Sequence, residues 1–88
     1  MGQLRISPEN LRHAADEFRL ANKDAQRIVL RLEKVASGLQ EQWSGVTQEL
    51  FFREYKDWLT SMGGFLALLT GIANEMQAMA ERFDVADR

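Results

Sequence analysis

From Leu11 to Leu39 apolar residues recur on a heptad without a break. Leu11, Phe18, Ala25, Leu32 and Leu39 hold one position of the repeat, and Ala14, Ala21, Ile28 and Val35 hold a second. A second unbroken heptad follows, with Tyr55, Met62, Leu69, Met76 and Phe83 on one line and Phe51, Trp58, Phe65, Ile72 and Met79 on the other. An apolar repeat of this period belongs to a helix that packs lengthwise against another helix, and an alternating strand cannot carry it. Between the two runs stands Trp43-Ser44-Gly45. The chain of 88 residues therefore reads as one all-α domain, 1–88. Its expected form is an antiparallel helix-turn-helix hairpin, with helix 1 over about 8–42, the turn at 43–46, helix 2 over about 47–84 and a short C-terminal tail.

Local signals agree with these limits. Ser7 is placed to cap the first exposed amides, Pro8 suits the first helical position, and Ile6 and Leu11 occupy the two sites of a hydrophobic staple. Gly45 frees the backbone to reverse, and Ser44 or Thr47 is expected to cap the second helix. Folding the chain at this turn sets Leu39 against Phe51, Val35 against Tyr55, Leu32 against Trp58, Ala25 against Phe65 and Ala21 against Leu69. Several alanines then face bulky partners, as interdigitating helices prefer. Trp43 is larger than a plain reversal needs; it either closes the end of the hairpin or joins a binding surface.

Two helices of about 50 Å share only one seam. Helix 2 carries a further apolar line, Phe52, Leu59, Leu66, Ala73 and Ala80, with Gly63 beside it. An exposed apolar stripe of that length usually marks an interface. Phe52, Leu59, Gly63, Leu66 and Ala73 are accordingly expected to join two hairpins into a four-helix bundle.

Other chemistry finds little support. Eleven Lys and Arg against thirteen Asp and Glu leave no concentrated basic face, so nucleic acid is not an expected partner. There is no cysteine, and the single histidine, His13, falls on the polar side of helix 1, so neither a metal site nor a Ser/His/Asp or Cys/His set is expected. No glycine-rich phosphate loop is present, and the carboxylates lie mainly among polar helix positions. No enzyme activity and no cofactor is expected. The opening MGQLRISPEN has no apolar run of a cleavable signal peptide, and Ile6 stands where myristoylation needs Ser or Thr. The stretch FLALLTGIA is too short for a spanning helix, so stable membrane insertion is not expected.

Two long heptad helices about a central Trp-Ser-Gly resemble the Trp-Xaa-Gly (WXG) family, the early-secreted-antigen-like substrates of type VII secretion. The resemblance covers the whole chain. It implies export of a folded dimer, either a homodimer or a heterodimer with a related WXG protein. It also implies a membrane ATPase as the receptor of a C-terminal signal made of Tyr, three residues and an acid. The matching stretch is Phe83-Asp84-Val85-Ala86-Asp87, with Phe in place of Tyr. Phe83 and Asp87 are therefore the expected export signal, near the partner's Trp43, Ser44 and Gly45. The implied location is secreted by a leaderless route, after a cytoplasmic stage. Two alternatives stay open: an escort that pairs with another secreted protein, and a cytoplasmic coiled-coil adaptor.

Overall fold

The computed structural model describes residues 6–86. It contains two helices, α1 (Pro8–Gln42) and α2 (Val46–Ala86), folded into an antiparallel hairpin with extents of 65 × 23 × 20 Å. Helix α1 starts where the capping residues dictate. Ser7 is extended (φ −99°, ψ 157°), its Oγ accepts the Asn10 N–H at 3.1 Å, and its carbonyl accepts the Leu11 N–H at 3.1 Å. The helix ends at Trp43, whose extended backbone (φ −128°, ψ 132°) turns the chain out of the α conformation.

The start of α2 differs from expectation. Gly45 itself is the capping position: its carbonyl accepts the Glu49 N–H at 3.2 Å, the first bond of the new helix. Its φ of +107° lies in the region that side chains avoid, which is why the reversal needs glycine here. The Thr47 hydroxyl does not cap the helix; it accepts the indole N–H of Trp43 at 3.2 Å.

The seam between the helices is narrow and built from small residues. Ala15 and Ala36 of α1 and Ala73 and Ala80 of α2 are buried, and Leu69 is the one large apolar residue buried with them. Among the described residues no large side chain is fully enclosed, because a pair of helices covers a long side chain on one side only. On α1 the inner positions are the line Leu11, Phe18, Ala25 and Leu32 together with Ala15, Asn22, Val29 and Ala36. The expected second line, Ala14, Ala21, Ile28 and Val35, sits one position outside the seam, with Ile28 44% and Val35 55% exposed. On α2, Ala73 and Ala80 are buried beside Leu69, and Phe52, Leu59, Leu66, Tyr55, Met62 and Met76 are half-buried. Of the expected line Phe51, Trp58, Phe65, Ile72 and Met79, Phe51, Trp58 and Ile72 are half-buried too, whereas Phe65 and Met79 are exposed at the flank of the seam. The most fully buried positions are small because a two-helix seam has no third layer, so the larger inner side chains stay half-covered.

The expected pairing near the turn is present, since Leu39, Val35 and Leu32 line one groove with Phe51, Tyr55 and Trp58. Further along, Ala21 and Leu69 share a smaller hollow.

Asn22 crosses the seam at its middle. Its Nδ2 donates to the Leu66 carbonyl at 2.8 Å and to Thr70 Oγ1 at 3.1 Å, while Gln26 Nε2 donates to its Oδ1. A buried amide is tolerated only when its partners are supplied, so one sliding step between the helices leaves it unpaired. Asn22 thus fixes register in a seam whose repeating alanines would otherwise pack almost equally well one heptad away. Replacing Asn22 with Ala is expected to lower stability by about 1–3 kcal/mol, read from urea unfolding followed by circular dichroism.

Candidate functional site

Three surfaces carry the candidate residues once the seam is closed: the turn, one apolar face and the last turn of α2. At the turn, the half-buried Trp43 ring lies 5.3 Å from Phe51, centroid to centroid, at 44°. The contacts continue along α2, with Phe51 stacked on Tyr55 at 6.1 Å, Tyr55 on Trp58 at 5.9 Å, and Phe52 edge-on to Phe51 at 5.0 Å. Trp43 therefore closes the hairpin end and begins an aromatic ladder. Ser44 and Gly45 are exposed at the tip.

The ladder forms one wall of a groove of about 190 Å³, whose opposite wall is Leu32, Val35 and Leu39 of α1. Inside it the Tyr55 hydroxyl is buried and, among the described residues, has no hydrogen-bond partner. Burial raises the pKa of this phenol, and the Glu33 carboxylate adds to the rise, so it stays a neutral donor. The groove is the turn-proximal part of a longer face, made by Ala21, Ile28 and Val35 from α1 and by Phe51, Trp58, Phe65, Ile72 and Met79 from α2. Both lines stand one heptad position from the seam on the same side. The opposite flank is polar: Gln26 and Thr70 surround Asn22, and Arg12 pairs with Asp84.

The residues expected to join two hairpins differ in exposure. Ala73 has no exposed surface in the single hairpin, and Phe52, Leu59 and Leu66 are partly covered within it. Gly63 is exposed, and a Cβ built on it would touch nothing. Of this set only Ala73 is wholly covered by the hairpin itself.

At the far end of α2, Phe83 is 42% exposed and borders a shallow hollow of about 220 Å³ with Met79, Arg82 and Ala86. Asp87, the acid of the expected signal, lies outside the described residues. Asp84, which heptad reasoning passed over, is held by Arg12. Asn22 was passed over too, although its spacing from Ala15, Val29 and Ala36 marks it as a member of the inner line.

Among the described residues no three His, Cys, Asp or Glu side chains converge as metal ligands, and no helix is long and apolar enough to cross a membrane. His13 is exposed, 3.9 Å from Glu17 on the same helix.

The left-handed Gly45 generates a stability prediction. A methyl group there meets no atom, so the cost of Gly45→Ala is backbone strain alone, expected at about 1–2 kcal/mol. Thermal unfolding of the variant checks it.

Comparison with known proteins agrees with this geometry. Residues 3–88 match the family model WXG100, "Proteins of 100 residues with WXG". The chain is 32% identical to a secreted protein EsxB from Bacillus anthracis, whose crystal structure superposes with a TM-score of 0.88 over the whole of both chains. It is 25% identical to protein YukE of Bacillus subtilis over 87 residues, 99% of this chain and 90% of that one. An EsxA from Geobacillus thermodenitrificans, 24% identical, shares the fold with a TM-score of 0.84 across 99% of this chain and 94% of its own. A family match over nearly the full length, on a hairpin turned by Trp43-Ser44-Gly45, establishes that the chain belongs to the WXG100 family, the type VII secretion substrates that its turn and paired heptads resemble.

Proposed function

We propose that the chain is secreted by a type VII system as a folded homodimer, its two hairpins joined through the apolar face into a four-helix bundle. The observation that carries this reading is the face itself. Ile28, Val35, Phe65 and Met79 are all substantially exposed along one side of a single hairpin. A second copy presents the same face and covers it isologously. The buried Tyr55 hydroxyl adds support, because it borders that face and has no partner among the described residues. The address is the C-terminal aromatic-xxx-acid segment, Phe83 to Asp87, read by the membrane ATPase of the secretion system together with the partner's Trp43-Ser44-Gly45 turn. A related WXG protein is the other occupant that fits the same face.

Two experiments test the reading. Ile28→Lys with Phe65→Lys places charges on the face without touching the seam, and is expected to weaken association at least 100-fold in sedimentation equilibrium while helicity is kept. A wild-type chain that stays monomeric and cooperatively folded at micromolar concentration overturns the homodimer. Separately, Phe83→Ala and Asp87→Ala are expected to leave dimers inside the native host, and Phe83→Tyr is expected to export at least as well as wild type. Both alanine variants reaching the medium like wild type would remove the tail as the address.

A further inference from the structure

Among the described residues, Arg12–Asp84 is the one ion pair that joins α1 to α2; the remaining pairs lie within a single helix. Asp84 sits in the last turn of α2, where the aligned peptide dipoles already leave partial negative charge, and that turn has no basic residue to offset it. The antiparallel hairpin supplies the missing cation from Arg12, in the second turn of α1. Both side chains are part-covered, 38% and 42% exposed, so the contact is screened less than a fully solvated one.

We propose that Arg12 is a positioning residue for the export address: through Asp84 it keeps the final turn of α2 helical and docked, so that the neighbouring Phe83 ring projects in a fixed direction. The role rests on the reading that the Phe83 segment is the address. A helix end frays unless its terminal groups are held, and a frayed turn presents its aromatic ring in many directions. The receptor of an unheld tail meets the recognisable form only part of the time, and apparent affinity falls in proportion. The pair also divides the acids of the tail: Asp84 is engaged inside the hairpin, and the address must draw its charge from beyond it.

The experiment uses the full chain in its native assembly, with two readouts. Amide exchange of Phe83 to Ala86 reports the order of the last turn, and the fraction reaching the culture medium reports the address. Arg12→Glu is expected to speed exchange of those amides about two- to five-fold, the scale of a part-exposed ion pair, and to reduce export. Arg12→Glu combined with Asp84→Arg restores an opposite-charge pair and is expected to recover both. High salt should reproduce the exchange effect in the wild type. Unchanged exchange in Arg12→Glu overturns the contact. Faster exchange with undiminished export overturns the positioning role, as does a charge swap that restores exchange and not export. Phe83→Ala, run alongside, separates these outcomes from failure of the address itself: if it exports normally, the parent reading falls, whatever the exchange data say about Arg12.

Discussion

A seam between only two helices, in which the fully buried positions are mostly alanine, governs everything else in this molecule. Ala15 and Ala36 face a helix that contributes Ala73 and Ala80, and among the described residues Leu69 is the single large apolar residue buried with them. A small seam brings the backbones near but has little volume to offer. The Phe, Trp, Ile and Met side chains that the chain also carries cannot all enter it, and they are displaced to the flank. An exposed apolar face is thus a consequence of how the seam is packed, not an addition to it.

Displacement is one-sided because the other flank is polar. Asn22, Gln26 and Thr70 bond across the middle of the hairpin, and Arg12 and Asp84 bond across its open end. A buried amide that must keep its partners resists sliding, and an interhelical ion pair resists splaying. These contacts give the hairpin one register and one hydrophilic side. The aromatic ladder from Trp43 through Phe51 and Tyr55 to Trp58 then lines the opposite side at the closed end. Without the polar contacts a rod with apolar residues at three adjacent heptad positions would have several comparable ways to pair.

Those three adjacent positions explain what could and could not be read from the residues. Two helices, one reversal and the role of Ser7 and Gly45 follow from heptads, capping chemistry and the need for a left-handed residue. The choice of inner line does not. On α1 the lines through Ala14 and Ala15 are both apolar in part, and the second is interrupted by Asn22, which disguises it. On α2 the lines through Phe51 and Phe52 are both apolar throughout, and the residues alone do not rank them; in the hairpin Ala73 and Ala80 of the second are buried, while Phe65 and Met79 of the first stay exposed. In a domain with several layers large side chains have neighbours on all sides; in an isolated pair of helices they do not, so an apolar flank is left over, and its existence was legible.

The length of the rod bears on how such a chain is recognised. Trp43 lies at one end of a molecule 65 Å long, and Phe83 lies near the other. No bending of a two-helix hairpin brings them together, so a recognition surface that uses both needs two chains running in opposite directions. On the proposed reading the apolar face supplies that arrangement, and the address is complete only in the pair. Dimerisation then does two things at once. It covers a face that would otherwise promote aggregation, and it creates the feature that the receptor binds. On that reading a monomer without its partner would carry half an address at each end, and assembly would be checked by the same geometry that specifies export.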